Sequence, residues 1–261
     1  MPENCSHVVF SCFQACGRLI TRIPGYQIHC SKTMANTSDH PLYPPDINIP
    51  LGYVSNTISL TVLLSSFALA TLAIITFTLA ILKGLKPTIS RPDKILVGWF
   101  IFTGSIHFFL EGYFVYHHRT MPRMQDLFGQ LWKEYAKADS RYMTIEPFVL
   151  IMESITAFAW GPLSYLIAWM IVVKSPYRHP TQMLVSMGQF YGDVLYYGTS
   201  MLEEYYHARS YSRPERYYYW GYFIFLNAFW IFIPAWCMYQ SYSAMVAVSR
   251  LYAGYAGKKT A

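Results

Sequence analysis

The sequence predicts an all-α polytopic membrane protein, a bundle of five transmembrane helices. Three observations carry that prediction. Only 13% of the 261 residues are charged and 54% are hydrophobic, where an average soluble domain carries roughly 25% charge. The missing charge is missing from discrete long runs. Inside those runs sit a few isolated ionisable side chains, which are costly at bilayer depth and so mark a protein-lined site.

The runs follow in order. Residues 58–82 (Ile58 to Leu82) contain no charged residue. The second run, 95–116, reads ILVGWFIFTGSIHFFLEGYFVY and holds His107 and Glu111. The third, 148–173, has Glu153 as its single charge. The fourth, 181–202, is broken only by Asp193. The fifth, 217–249, is 33 residues without a charge, with Pro234 near its middle. A span needs about 20 apolar residues, so each run is long enough. The fifth exceeds the hydrocarbon thickness and is expected to tilt, to kink at Pro234 or to project beyond the bilayer. Tyr217, Tyr218, Tyr219, Trp220 and Tyr222 at its start form an expected interfacial belt.

Between the second and third runs, Phe128, Leu131, Trp132 and Tyr135 recur at helical spacing. They predict a short amphipathic helix on the membrane surface with a solvated charged face. Residues 1–39 read as a disordered leader, 40–252 as the membrane domain and 253–261 as a short tail. The leader holds Cys5, Cys12, Cys16 and Cys30 at no metal-site spacing, and its basic residues follow rather than precede its apolar stretch, unlike a signal peptide. Met34 is an alternative start, and Asn4 and Asn36 head glycosylation acceptor patterns.

Lys83, Lys86, Arg91 and Lys94 crowd the first loop. By the positive-inside rule that loop is cytosolic. The ending Lys258-Lys259-Thr260-Ala261 has the form of a dilysine retrieval signal, which also faces the cytosol. The net charge of +6 is spread over loops with no basic groove, so no nucleic-acid partner is expected.

The chemistry-bearing residues lie in the runs. His107 and Glu111 are four apart and share a helix face. An imidazole can hold, donate or accept a proton near neutral pH. A metal reading lacks partners, since no second histidine lies in a span and zinc needs three or four ligands. Glu153 has Thr156 three residues on, within hydrogen-bonding reach. Gln189 and Asp193 are four apart and read either as substrate contacts or as helix glue, beside the close-packing pair Gly188 and Gly192. Asn227 and Trp230 are three apart, and an indole face there could stabilise a cation. Tyr142 lies eleven residues before Glu153, at a mouth of the bundle. No phosphate loop, nucleophilic triad or dinucleotide fingerprint appears, and no cofactor is called for.

Five stretches, IHFFLEGYF (106–114), QLWKEYAKADSRY (130–142), MESITAFAWGPLS (152–164), SMGQFYGDVLYY (186–197) and FLNAFWIFIP (225–234), resemble the emopamil-binding protein family of sterol delta-8, delta-7 isomerases. The resemblance runs over about residues 40–250 and takes in His40-Pro41-Leu42-Tyr43-Pro44. It implies a five-helix membrane enzyme of the endoplasmic reticulum that uses no redox cofactor. It implies protonation of a sterol at carbon 9, a carbocation at carbon 8 and loss of a proton from carbon 7. The residues carried over are His107, Glu111, Tyr142, Glu153, Thr156, Asn227 and Trp230. The His107–Glu111 pair is expected to handle one proton transfer and Glu153 the other. Expected partners are the sterol, lipophilic amines that mimic the cation and membrane lipid, with a homodimer compatible. Two alternatives stay open: a non-catalytic binder of sterols and amines like the sigma-two receptor, and an isomerase or cyclase of another polycyclic terpenoid.

Overall fold

The computed structural model describes residues 40–86 and 88–259, with side chains through Tyr255. The four leader cysteines, Met34, both glycosylation patterns and the side chains of Lys258 and Lys259 lie outside the described residues. Among those described, every regular element is helical.

Six helices organise the described residues. Helix α1 is Leu60–Leu85, started by Ser59, whose hydroxyl accepts from Val62 N. Helix α2 is Arg91–His117, capped by Ser90 through Asp93 N. Helix α3 is the short Leu127–Tyr135, capped by Asp126. Helix α4 is Pro147–Val173, with Glu146 accepting from Val149 N ahead of the first-turn proline. Helix α5 is Arg178–His207. Helix α6 starts as Tyr217–Leu226 and continues through Pro234 as Asn227–Lys259. These caps use the residue types whose short oxygens reach the free N–H groups of a first turn.

Helices α1, α2, α4 and α6 are long and apolar enough to cross a membrane. The expected span 181–202 lies inside α5, which has the length, at 30 residues, but not the uniform apolar character. Buried Gln182, Ser186, Gln189, Asp193 and Ser200 line one side of it. Its polarity is turned inward, against α6 and α4.

Two apolar clusters fill the bundle. One gathers Phe114, Trp132, Tyr142, Val149, Tyr196 and Phe223. The other gathers Leu96, Phe100, Ile167, Val185 and Cys237. On each of α2, α4, α5 and α6 the polar candidates fall in sequence between the residues given to the two clusters. The polar layer is thus held from both sides by packed hydrocarbon, through close van der Waals contact rather than exclusion of water.

The reading of α3 needs correction. The helix forms, but its charged face is not solvated. Lys133 is 1% exposed and donates to Val54 O at 2.6 Å. Glu134, also buried, accepts from Lys137 at 2.6 Å and from the Tyr218 hydroxyl at 3.2 Å. Gln130 holds the segment before α1, accepting from Thr57 N and Ile58 N at 2.8 Å each. A neighbouring extended segment with unmet backbone groups attracts the polar face, because buried N–H and C=O groups must find partners. The belt at the start of α6 is likewise divided: Tyr217 and Trp220 are exposed, while Tyr218 turns inward to Glu134.

Candidate active site

The α-helical ladder of α2, α4 and α6 is interrupted by π-helical turns at Ile106–Glu111, Thr156–Trp160 and Tyr217–Leu226. Such turns are rare and concentrate at functional sites. Here they coincide with His107 and Glu111, with Thr156, and with the residues just before Asn227. Where the first two meet, α2 and α4 approach backbone to backbone. A Cβ on Gly161 would stand 3.1 Å from Phe108 N, and one on Gly104 3.2 Å from Gly161 O. Near that approach the carboxyls of Glu153 and Glu111 lie close enough to feel one another's charge.

Around the two carboxyls the structure builds two hydrogen-bonded groups. His107 Nδ1 lies 2.7 Å from Glu111 Oε2. His107 Nε2 lies 3.1 Å from Thr103 Oγ1 and 2.9 Å from Gln189 Nε2. Gln189 Nε2 also donates to Thr103 Oγ1 at 3.2 Å, and the Trp230 indole donates to the same oxygen at 3.1 Å. The Trp230 and His107 rings are 6.1 Å apart between centroids. On the other side, the Tyr142 hydroxyl donates to Glu153 Oε1 and the Thr156 hydroxyl to Glu153 Oε2 at 3.2 Å. Burial, with the Glu153 charge next in weight, pushes the Tyr142 phenol well above its usual range, which keeps it a protonated donor.

Tyr142 is held in turn. Its ring stacks on Trp132 with centroids 4.8 Å apart. The turn that carries it, Ser140–Met143, is capped by Asp139. Arg141 binds both oxygens of Asp139, at 2.7–3.0 Å, and donates to Thr199 Oγ1 at 2.8 Å. Its guanidinium sits between the rings of Tyr196 and Tyr211. Burial opposes the Arg141 charge, but the contact with Asp139 outweighs it and holds the group firmly protonated.

The layer therefore assembles His107, Glu111, Glu153, Tyr142, Thr156, Gln189 and Trp230. Asn227 stands beside it rather than in it: its amide donates to the Tyr135 hydroxyl at 2.9 Å and to Phe223 O at 2.7 Å, a carbonyl of the π-helical turn. Asp193 is buried one turn from Gln189 and makes no hydrogen bond to His107, Glu111 or Glu153; its Oδ2 has no partner. Gly188 and Gly192 serve different purposes. A Cβ on Gly188 would meet the Trp160 ring at 2.4 Å, whereas one on Gly192 finds only Met152 at 4.0 Å. The residue that sequence reasoning missed is Thr103, which is fully buried and touches three other members of the network. Its signal was available: Thr103, His107 and Glu111 are spaced by four and share a face.

The arrangement can move protons inside an apolar enclosure. Two neighbouring carboxyls, one imidazole bonded to the first and one phenol bonded to the second share this layer, and water has little access to them. Fixed dipoles in such a place act far more strongly on a developing charge than they would in water.

The family profile for EBP, described as EXPERA (EXPanded EBP superfamily), matches residues 127–241. The mouse protein named 3-beta-hydroxysteroid-Delta(8),Delta(7)-isomerase is 36% identical over 198 residues, covering 75% of this chain and 84% of the mouse one. A probable isomerase of the same name from Arabidopsis thaliana is 32% identical over 213 residues, covering 81% and 92%. A protoglabretal synthase of Citrus sinensis is 35% identical over 164 residues, covering 62% and 75%. With its helical membrane bundle and its buried acid–imidazole layer, the chain belongs to the EBP family of the EXPERA superfamily.

Proposed function

We propose that the protein is an enzyme, a sterol isomerase that moves a ring double bond from carbons 8 and 9 to carbons 7 and 8. The observation that carries this reading is the buried acid–imidazole layer, in which His107 Nδ1 lies 2.7 Å from Glu111 Oε2 and Glu153 is held by Tyr142 and Thr156. The named activity of relatives that align over most of their length supports it. A proton adds at carbon 9, leaving a tertiary cation at carbon 8. A proton then leaves carbon 7 and the electron pair of that bond closes the new double bond. Protons balance and no electrons enter or leave, so the two carboxyls can trade the roles of donor and acceptor.

In this reading Glu111 and Glu153 serve as the acid and base, with His107 bonded to the first and Tyr142 and Thr156 to the second. The Trp230 face and the carboxylates stabilise the cation, by roughly 0.5–2 kcal/mol for a cation–π contact. A closed apolar site protects the cation from capture by water. Asn227 and Asp193 line the substrate rather than react. Lipophilic tertiary amines, once protonated, imitate the cation in charge and place, and bind for that reason.

The five-span bundle, α5 included, the endoplasmic reticulum location and a cytosolic C-terminus complete the proposal. The crowded bases of the first loop support that orientation. A tail epitope is expected to be reached when the plasma membrane alone is permeabilised, and one reached only after internal membranes are opened reverses the orientation.

A second reading, an isomerase of another polycyclic terpenoid, is favoured by the similarity to protoglabretal synthase. Membranes carrying the chain, incubated with a delta-8 sterol, are expected to yield the delta-7 product. Absence of that product alongside conversion of a triterpenoid selects the second reading, and conversion of neither leaves a binding protein.

A further inference from the structure

The donors and acceptors around Thr103 leave little freedom. An indole N–H can only donate, and so can an amide NH₂. The Trp230 indole and Gln189 Nε2 both point at Thr103 Oγ1, at 3.1 and 3.2 Å. That oxygen is thereby used as an acceptor from both. Its own proton has one nearby destination in the network, His107 Nε2 at 3.1 Å. Gln189 Nε2, at 2.9 Å, also presents its hydrogens to that ring nitrogen. With the Gln189 amide nitrogen turned toward the ring and its carbonyl Oε1 buried without a partner, His107 Nε2 faces two donors, the pattern of an unprotonated ring nitrogen. The ring proton then sits on Nδ1 and points at Glu111 Oε2, 2.7 Å away.

We propose that Thr103 is a positioning residue: its hydroxyl, joining α2, α5 and α6, fixes the tautomer of His107 so that the imidazole presents its N–H to Glu111, and holds the Trp230 ring against the same site. None of this needs Thr103 to touch the substrate. The order of donation runs Trp230 to Thr103, Thr103 to His107, His107 to Glu111. A side chain of the same shape without the hydroxyl would leave the buried indole N–H without an acceptor and His107 Nε2 with only the Gln189 amide. The tautomer and the Trp230 orientation would then both loosen. Hydrogen-bond partners that set a histidine's tautomer carry large effects on what that histidine can do.

The kinetic arm of the test rests on the isomerase reading; the spectroscopic arm does not. Thr103→Val keeps the volume and removes the hydroxyl, and Thr103→Ser keeps the hydroxyl. With a delta-8 sterol, Thr103→Val is expected to lower kcat by roughly 10- to 100-fold, the range typical of lost orienting partners. KM should stay within about two-fold, because the loss is in orientation and not in uniform binding. Thr103→Ser should recover most of the turnover. Nitrogen-15 spectra of imidazole-labelled protein, with the His107 signal identified by its loss in His107→Asn, should show protonated Nδ1 and bare Nε2 in the wild type. The same spectra should show a mixture in Thr103→Val. A wild-type His107 protonated on Nε2 overturns the proposal, as does equal loss of turnover in Thr103→Val and Thr103→Ser, or unchanged turnover in Thr103→Val. If the wild-type protein shows no isomerase activity, the isomerase reading fails by itself and the nitrogen spectrum still decides the role of Thr103. Should Thr103→Val fail to fold, the wild-type spectrum alone carries the decision.

Discussion

The layer around Glu111 and Glu153 and the pair formed by Asp139 and Arg141 are both buried and both ionisable, yet they are built on opposite plans. Arg141 binds Asp139 through its planar fork, and the remaining donors of the guanidinium meet Thr199 Oγ1 and Tyr196 O. Charge is matched by charge and little is left to exchange. In the membrane layer, acid meets acid, and the groups nearby are one imidazole, one phenol and two hydroxyls, none with a permanent charge. Protons there have several places to go. Burial and polarity alone thus do not identify a reactive centre. The distinction lies in whether the hydrogen-bonding capacity is closed by a permanent ion pair or left shared among groups that titrate.

That contrast can be broken most directly at the two carboxyls. Glu111→Gln and Glu153→Gln keep shape and much of the hydrogen bonding but cannot carry the proton. Each is expected to lower kcat by roughly 10²- to 10⁴-fold, the usual contribution of a general acid or base, while the thermal melt in detergent stays close to wild type. Near-normal turnover in either variant removes that carboxyl from the chemistry. Arg141→Ala should do the reverse. Stranding the buried Asp139 charge is expected to cost about 3–5 kcal/mol of stability, read as a lower melting temperature. Replacing both partners together, as Asp139→Leu with Arg141→Met, should cost markedly less; if it costs more than Arg141→Ala alone, the pair is not a self-neutralising unit.

A third test sharpens how the layer is kept in register. Gly188→Ala drives a methyl into the Trp160 ring and is expected to destabilise the bundle by about 1–3 kcal/mol, as overpacking does. Gly192→Ala, with space around it, should stay within about 0.5 kcal/mol of wild type. Similar melts for the two variants would show that α5 shifts freely against α4. The smallest effect is expected at the aromatic wall. Trp230→Leu should weaken a protonated lipophilic amine by about 0.5–2 kcal/mol and a neutral sterol of equal size by less. Equal losses for both ligands would mean that the indole serves packing and not charge.

Much of this protein was legible in one dimension. Long uncharged runs can only be spans or buried helices, because a helix in hydrocarbon must satisfy its backbone internally and carry apolar side chains outward. The caps at Ser59, Ser90 and Glu146 are equally local chemistry that needs no distant partner, although the reading of the apolar runs did not use them. His107, Glu111 and Glu153 stood out because isolated ionisable groups in apolar sequence are expensive and seldom idle. Periodicity also found α3, since an amphipathic pattern is a local property.

Tertiary structure decided the rest, and the reason is that the deciding contacts join residues far apart in the chain. Whether the charged face of α3 met water or protein depended on the segment at Val54 to Ile58, which arrives from the other side of α1 and α2. Whether Asn227 joined the acids or the tyrosines depended on the π-helical turn, whose carbonyl at Phe223 accepts from its amide, and on the Tyr135 hydroxyl. Glu111 and Glu153 come near one another where α2 and α4 approach closely at Gly104 and Gly161. Thr103 carried its spacing in the sequence, but a threonine in an apolar helix ordinarily bonds its own backbone. Only the arrival of Gln189 from α5 and Trp230 from α6 at one hydroxyl made it the centre of the network.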